Sequence, residues 1–147
     1  MRLATSHWDV DGHFAVRHAV FVEEQGIFAG SDVDDRDFEP GTLHAVATTG
    51  DLVVGAVRLY PTDDAGTWRG DRLAALADHR RRGTLGARLV RFAVATAGQL
   101  GGSRMDALIQ MPNVRFFQAL GWSPCGELVV FHGVPHQPMD IPLSPGP

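Results

Sequence analysis

One stretch decides the fold, and it reads His79-Arg80-Arg81-Arg82-Gly83-Thr84-Leu85-Gly86-Ala87-Arg88-Leu89-Val90. Arginines and glycines lead directly into a segment whose apolar residues recur at helical spacing. Glycine lets backbone N–H groups come close to a ligand, and the first turn of a helix leaves N–H donors unpaired at the positive end of its dipole. The stretch therefore predicts a site for an anion, with a diphosphate as the first candidate.

Composition narrows the class of protein that carries this site. The chain has 147 residues, 44% of them hydrophobic, which is enough for one compact domain. Its formal net charge of -4 argues against a surface for nucleic acid or for an anionic membrane. The single cysteine, Cys125, cannot form an internal disulfide, and no apolar run reaches the length of a membrane span. We therefore expect a cytoplasmic protein without a membrane or nucleic-acid partner.

The hydrophobic pattern on both sides of the stretch predicts strands and helices. Strands are predicted over residues 2–8, 43–48, 52–60, 72–77, 104–110, 127–131 and 138–143, and helices from a cap at Asp9 or Asp11 to about residue 24, over 84–100 and over 112–120. The acidic segment 26–41 is expected to be an exposed loop or a short helix. This order favours an α/β or α+β fold with a mixed sheet. We expect one domain over residues 1–143 and a disordered tail over residues 144–147.

Further motifs stand before and after the anion-binding stretch in a fixed order. They are Leu73-Ala74-Ala75-Leu76 before it, Arg80, Gly83, Gly86 and Leu89 within it, and Gln110, Asn113, Phe116-Phe117 and Leu120-Gly121-Trp122 after it. In this order and spacing the chain resembles the GNAT superfamily of acyl-CoA-dependent N-acetyltransferases over nearly its whole length. The resemblance implies a strongly twisted mixed sheet flanked by helices, acetyl-CoA as co-substrate, and no metal.

The two ends of the chain narrow the resemblance to one branch of the superfamily. The matching residues are Arg17, Val20-Phe21-Val22, Glu24-Gln25, Asp32, Asp34, Asp37, His44-Ala45-Val46, Gly133-Val134-Pro135-His136 and Met139. In these segments the chain resembles the ElaA/YjcF-like branch. The branch implies a fold and a cofactor but does not name an acceptor.

The resemblance also implies which residues bind the cofactor. Backbone amides of Leu73, Ala74, Ala75 and Leu76 are expected to contact the pantetheine arm and to polarise the thioester carbonyl. The segment formed by Arg80, Arg81, Arg82, Gly83, Thr84, Leu85, Gly86 and Ala87 is expected to hold the diphosphate, and Asn113 and Phe117 are expected to flank the CoA arm. The alternative for the arginines is a solvated entry to the helix.

Two departures from the family pattern affect these expectations. The usual loop reads Arg-x-x-Gly-x-Gly, whereas Gly86 here follows Gly83 one residue late, so either the loop is one residue longer or Thr84 replaces a glycine. In the second register the Thr84 hydroxyl can cap helix N–H groups. The second departure is chemical: many GNAT enzymes carry a tyrosine that protonates the leaving thiolate, and this chain has Phe117 at that position.

For removal of the amine proton, the branch resemblance implies Glu24 and His44. A carboxylate can act directly or through water, and a histidine titrates near neutrality. The alternative for Glu24 is an ion pair with an arginine, and for His44 a hydrogen-bonded position at the start of a strand. Tyr60 either reaches the cleft or packs in the core, and His136 either lines the cleft or bridges the last two strands.

The resemblance therefore predicts an N-acetyltransferase in which an amine attacks acetyl-CoA directly. The acceptor is expected to be a small-molecule or peptide amine, and the acidic run from Asp32 to Asp37 either attracts it or is merely solvated. A homodimer is expected because dimers are frequent in the superfamily. Phe117 keeps a second hypothesis open, a non-catalytic acyl-CoA sensor or partner-binding module. An enzyme related to acyl-homoserine lactone synthases is a third, and no sequence feature selects it.

Overall fold

The computed structural model describes residues 1–146 of the chain, and only the backbone of Arg82. The strands are β1 (Arg2–Leu3), β2 (Leu43–Thr49), β3 (Leu52–Pro61), β4 (Thr67–Ala75), β5 (Arg104–Gln110), β6 (Ser123–Pro124), β7 (Val129–Phe131) and β8 (Val134–Pro142). The helices are α1 (His7–Arg17), its π-helical continuation (His18–Glu24), α2 (Thr84–Gln99) and α3 (Val114–Ala119). Short 3-10 turns cover Asp35–Phe38, Ala77–His79, Arg81–Gly83 and Met111–Asn113. The predicted tail ends on Pro147, which lies outside the described residues, so that boundary stays a prediction.

The strands form one mixed eight-stranded sheet that divides in the middle. Its order is β1-β2-β3-β4-β5-β8-β6, with β7 also paired to β8, and β4 and β5 form the parallel pair. These two strands pair only where residues 67–69 of β4 meet residues 104–106 of β5. Beyond that point β4 stays with β3 as far as Ala75, while β5 stays with β8 as far as Gln110. The separation opens a cleft in the centre of the sheet.

Each face of the sheet carries its own core. The face under α1 buries Val16, Val20, Phe21, Val46, Val53, Ala56 and Ala74. The face under α2 buries the larger core, centred on Leu89 and Met105. A side chain at Gly55 of β3 would place its Cβ 2.8 Å from Leu89, so the glycine allows α2 to approach the sheet closely. The predicted mixed sheet flanked by helices is therefore confirmed. Within residues 1–146, none of the helices has both the length and the apolar character that a bilayer span requires.

The first helix starts earlier than the sequence suggested. The side chain of Ser6 accepts a hydrogen bond from the backbone N–H of Asp9 at 3.2 Å and so caps α1, which begins at His7. The predicted caps at Asp9 or Asp11 are therefore wrong, and the predicted strand over residues 2–8 is reduced to Arg2–Leu3. Asp9 instead forms an ion pair with Arg2 at 2.8 Å.

Of the two alternatives expected for the acidic segment after α1, the short helix is present as the 3-10 turn Asp35–Phe38, while the segment is not an exposed loop. Asp32 and Asp37 are buried, and both form ion pairs with the buried Arg17 of α1 at 2.7 Å. Buried carboxylates require such partners, because an unpaired charge inside a protein is strongly unfavourable. The segment is thus fastened to the body of the domain by its own acidic side chains.

Two strand boundaries also differ from the prediction. The strand β4 begins at Thr67 rather than at Arg72, because the Asp63 carboxylate accepts hydrogen bonds from the N–H groups of Ala65 and Thr67 and closes the preceding turn. The strand β8 begins at Val134 rather than at Pro138. Prolines are uncommon inside strands, which is why the sequence indicated a later start. In consequence, His136 lies within β8 rather than in a connecting loop.

Candidate active site

The separation of β4 from β5 produces a cleft of about 300 Å³. On the α2 side of the sheet its walls come from helix α2 and from the segment of α3, with Val90, Asn113 and Phe117 among them. On the α1 side its polar walls include Gln25, Asp34, Asp71, Gln110 and His136. The cleft is therefore open to two chemically different surroundings, one largely apolar and one rich in charged and amide groups.

The anion-binding loop, which we define as residues 80–87, lies beyond the end of β4. Gly83 occupies the left-handed region with φ of 70° and precedes α2, whose first residue is Thr84. The N–H of Thr84 donates to the backbone oxygen of Arg81 in the preceding 3-10 turn, whereas the N–H groups of Leu85 and Gly86 have no partner within α2 and can meet an anion. Because Thr84 lies inside the helix, its hydroxyl is not at the capping position that one of the two predicted registers requires.

The two glycines of the anion-binding loop differ in how strictly they are needed. A Cβ at Gly83 would lie 2.9 Å from Cε1 of Phe116 in α3, and a side chain would also be strained at this positive φ. A Cβ at Gly86 would lie 3.6 Å from the same ring, which is ordinary contact. The loop therefore depends on Gly83 for its backbone, while Gly86 leaves room above the helix N-terminus.

The side chain of Arg80 is already engaged inside the protein. Its Nε donates a hydrogen bond to the backbone oxygen of Ala75 at 2.8 Å, and its two terminal nitrogens donate to the carboxylate of Glu24. These hydrogen bonds from Arg80 hold the pKa of the Glu24 carboxyl below its usual range. A carboxylate with a lowered pKa is a weaker base. Arg80 thus ties the end of the π-helical segment to the end of β4.

The other residues predicted to bind the cofactor fall into two groups. Leu73, Asn113 and Phe117 line the cleft. Thr84 and Leu85, together with Arg81, line a second open groove of about 540 Å³ beside the β2–β3 hairpin. The remaining members are placed by the backbone: Ala74 is buried under α1, Ala75 pairs with Gly55, Leu76 donates to Val54, and Ala87 lies in the second turn of α2. The predicted role of Arg82 rests on a side chain that lies outside the described atoms.

A network of charged side chains lies on the α1 side of the cleft, and some of its members line the cleft. We call it the arginine–aspartate cluster, and its members are Arg17, Arg58, Arg72, Asp32, Asp34, Asp37 and Asp71. Arg58 is buried and binds Asp71 through two hydrogen bonds of 2.7 Å. Burial works against the ionisation of Asp37, but hydrogen bonds from His44 and Arg17 outweigh it and hold the pKa of that carboxyl far below its usual range.

His44 and His13 complete this network from β2 and α1. The Nε2 atom of His44 lies 3.0 Å from the Asp37 carboxylate, and the two imidazole rings are 4.7 Å apart. Burial lowers the pKa of His13 to about 3, so the ring is neutral. His44 therefore lies within the cluster, and neither it nor Glu24 belongs to the residues that line the cleft.

Arg72 and Tyr60 connect the cluster to the cleft. Arg72 has a φ of 52°, which is uncommon for a residue other than glycine, and its guanidinium donates to the backbone oxygen of Asp32 at 3.1 Å. This conformation coincides with the irregular pairing of β3 and β4 beside the cleft. The Tyr60 hydroxyl donates to Asp71 at 3.2 Å, and burial, with the charge of Asp71, raises its pKa to about 12.

Sequence reasoning missed several of the residues that line the cleft. Arg72 lies in the part of β4 that was predicted, and Asp71 lies just before it, but the pattern gives no sign that Arg72 pairs with the acidic segment or that Asp71 binds Arg58. Arg58 lies between buried apolar residues in β3. A charged residue inside such an apolar strand is the signal that could have identified it as a buried, paired arginine. His136 was not missed: it was predicted either to line the cleft or to bridge the last two strands, and it lines the cleft.

Comparisons with known proteins place this geometry in context. The model of the Acetyltransferase (GNAT) family matches residues 7–122. A Bacillus subtilis (strain 168) protein named uncharacterized N-acetyltransferase YjcF is 30% identical over 127 residues, which cover 86% of this chain and 87% of that protein. A crystal structure of an N-acetyltransferase from Lactobacillus plantarum superposes with a TM-score of 0.85 at 26% identity, over 97% of this chain and 96% of the other. Escherichia coli ElaA shares the fold, with a TM-score of 0.80 at 21% identity over 92% and 91% of the two chains.

Proposed function

The chain belongs to the acetyltransferase (GNAT) family, and on that premise we propose that it transfers an acetyl group from acetyl-CoA to a primary amine by direct attack of the amine. The family membership predicted from the motifs is confirmed. The observation that carries the finer proposal is that β4, which separates from β5 along the cleft, is followed through two short 3-10 turns by the N-terminus of α2. A thioester arm in the cleft and a diphosphate at the helix N-terminus fit this arrangement.

The proposed binding of acetyl-CoA uses backbone more than side chains. The pantetheine arm lies along β4 past Leu73, where β4 has separated from β5, and Asn113 and Phe117 flank it from α3. The diphosphate accepts hydrogen bonds from the N–H groups of the first turn of α2. Arg81 is exposed next to this turn and is available to the phosphates, whereas Arg80 supports the loop through Glu24 and Ala75.

The proposed chemistry is the attack of a neutral amine on the thioester carbonyl carbon. The nitrogen lone pair forms the C–N bond, the carbonyl oxygen takes up negative charge, and the C–S bond breaks with release of CoA thiolate. Backbone N–H groups of β4 beside the cleft supply hydrogen bonds to the developing oxyanion. Phe117 cannot protonate the thiolate, so the proton must come from another group.

Glu24 and His44, the bases predicted from the sequence, keep that status as predictions. Glu24 is held by Arg80, and His44 is held by Asp37. Through these contacts both side chains connect separate segments of the fold. Their assignment as catalytic residues needs a substrate-dependent measurement, which the Glu24 variant described in the Discussion provides.

The acceptor is proposed to enter from the α1 side of the cleft. Asp34 keeps part of its carboxylate exposed there, while Arg58 and Arg72 bind its other side. The carboxylate attracts a cationic amine. The two arginines favour a substrate that also carries an oxygen able to accept their hydrogen bonds. The protein is proposed to act in the cytoplasm on a small-molecule or peptide amine, as a homodimer, without nucleic acid or membrane.

Two measurements test the proposal. Calorimetry with CoA gives the affinity for the cofactor, and release of free thiol from acetyl-CoA gives turnover with a panel of spermidine, glucosamine, kanamycin, tryptamine and a lysine-containing peptide. We expect saturable CoA binding and turnover with at least one amine. Tight CoA binding without turnover on any amine would favour the non-catalytic acyl-CoA sensor, the alternative that Phe117 supports.

A further inference from the structure

His136 lies at the polar wall of the cleft, next to the point where β5 ends. It pairs with Gln110 across the antiparallel ladder of β5 and β8. The side chain is buried, with 5% of the residue exposed, and it lines the same cleft as Phe117 and Asn113. In this register, residues of β8 alternate between the two faces of the sheet, and the neighbouring Gln137 and Met139 belong to the opposite face.

The hydrogen bonding of His136 defines which ring nitrogen is free. Its Nδ1 lies 2.7 Å from the backbone oxygen of Val134. A carbonyl oxygen can only accept, so Nδ1 must carry the proton and donate it. In the neutral ring the lone pair is then on Nε2, and the bond to Val134 holds this tautomer in place.

The free nitrogen of His136 is reachable from the cleft. Among the described residues Nε2 has no hydrogen-bond partner. In the described part of the chain, two side-chain nitrogens have neither a hydrogen-bond partner nor contact with solvent, Nδ1 of His79 and Nε1 of Trp122. Nε2 of His136 is not one of them, so this unpartnered nitrogen keeps some exposure. A buried histidine that has one nitrogen fixed and the other free toward a cleft is arranged to exchange a proton with a ligand.

Two other polar groups at this wall, Asp71 and Gln110, already form hydrogen bonds within the protein. Asp71 accepts from both Arg58 and Tyr60, and the amide of Gln110 donates to Gln25 at 3.1 Å. Phe131 packs edge-on against the His136 ring at 5.6 Å. The ring of His136 thus has an aromatic neighbour on one side and side chains that already form hydrogen bonds on the other. Its Nε2 is therefore a nitrogen base at this wall that remains available to a ligand.

We propose that His136 is a catalytic residue and that its Nε2 carries the proton from the attacking amine to the departing thiolate. This inference rests on the proposed function. As the amine nitrogen bonds to the thioester carbon, Nε2 accepts the N–H proton; as the C–S bond breaks, the protonated ring gives that proton to the sulfur. The products are the acetylated amine and CoA thiol, His136 returns to its starting form, and no tyrosine is required at Phe117.

The test compares two histidine-to-asparagine variants. In His136→Asn the side-chain amide can still donate to Val134, but nothing occupies the position of Nε2. His132→Asn makes the same change at an exposed residue of the same hairpin, whose φ of 50° asparagine adopts readily. Turnover is measured with acetyl-CoA and the amine of the panel above that releases most thiol, and CoA affinity is measured by calorimetry.

We expect His136→Asn to lower kcat by about 10²–10⁴-fold with CoA affinity within about threefold of the parent, and His132→Asn to keep its turnover. Added imidazole is expected to restore part of the activity of His136→Gly, because the small base can enter the space left by the ring. Parent-like turnover of His136→Asn overturns the inference and leaves the proposed function standing. Absence of turnover in the parent protein with every amine, despite CoA binding, overturns both.

A second readout does not depend on the acceptor. Diethylpyrocarbonate acylates an unprotonated, accessible imidazole nitrogen, and mass spectrometry locates the product. We expect modification at His136 that saturating CoA suppresses by at least about tenfold, while modification at His132 continues. Modification of His136 that CoA does not affect places Nε2 away from the thioester and contradicts the inference.

Discussion

The anion-binding loop and the arginine–aspartate cluster lie in different parts of the domain and are built in opposite ways. The loop offers N–H groups of the first turn of α2, and its shape depends on one glycine with a positive φ. The cluster joins α1, β3, β4 and the acidic segment through side chains that are mostly buried. The difference teaches that the loop is defined by local backbone, whereas the cluster is defined by contacts between distant segments.

The largest effect is expected when the cluster loses Arg17. In Arg17→Met, Asp32 and Asp37 stay buried without the guanidinium that binds both of them. Removing one partner from a buried ion pair costs about 3–5 kcal/mol of unfolding free energy, which urea denaturation measures. If the cluster stabilises the domain as described, the loss falls in this range.

The matched control is Arg36→Met, which removes an exposed arginine paired with Glu39. Exposed pairs contribute about 0–1 kcal/mol. Equal effects of the two substitutions would remove the distinction between the cluster and an ordinary charged surface.

The next effect concerns the response of the cluster to acid. Burial, with the charge of Arg17, lowers the pKa of His13 from 6.5 to about 3, and the hydrogen bond to the backbone oxygen of Ala45 opposes this shift only in part. Between these values the unfolded chain binds a proton at His13 that the folded protein does not, so stability falls as the pH decreases from about 6.5 towards 3. We expect a loss on the order of 3 kcal/mol between pH 7 and pH 4 from this group.

Urea unfolding at several pH values measures this loss, and His13→Gln supplies the comparison. Glutamine can accept the hydrogen bond from Arg17 but cannot ionise in this range. The variant is expected to be less dependent on pH between 6.5 and 4 than the parent. The same slope in both proteins would mean that His13 is not the group that titrates.

A smaller effect is expected at the anion-binding loop, where the two glycines can be set against each other. Gly83→Ala forces a Cβ into a left-handed conformation and against Phe116, and we expect about 1–2 kcal/mol of destabilisation with at least roughly tenfold weaker CoA binding. Gly86→Ala meets only ordinary contact and is expected to change CoA affinity less than about threefold. Calorimetry with CoA decides, and the reverse order of effects would show that the binding register starts at Gly86.

The smallest effect is expected at Glu24, which joins Arg80 of the anion-binding loop to the end of the π-helical segment. Glu24→Gln keeps the shape of the side chain and removes its charge, so stability should change by less than about 1 kcal/mol because the pair is partly exposed. We expect turnover within about threefold of the parent. A fall of a hundredfold or more would restore Glu24 as the base predicted from the sequence.

The sequence could predict the elements that carry the anion-binding loop but not the contacts of the arginine–aspartate cluster. Spacing of glycines and apolar residues is local information, and it predicted α2 and β5 almost to the residue. The pairing of Arg17 with Asp32 and of Arg58 with Asp71 joins residues far apart in the chain, and no local pattern encodes it. For the same reason the sequence left open whether the acidic segment attracts the acceptor or is merely solvated, and it gave no sign that Asp32 and Asp37 are buried by partners that only the fold supplies.

Because β4 and β5 pair only at one end, a small rotation between the two halves of the sheet produces a larger displacement at the other end. Three residues on each strand pair β4 with β5 and so join the two halves of the sheet. Beyond Arg69, the part of β4 that no longer pairs with β5 extends about 20 Å to Ala75, at roughly 3.3 Å per residue. A rotation of about 3° at the paired end would therefore shift the far end of the cleft by about 1 Å. Gly70, whose Cβ would lie 3.2 Å from the sulfur of Met105, follows the paired residues directly, so a substitution there would change the width of the cleft at a distance.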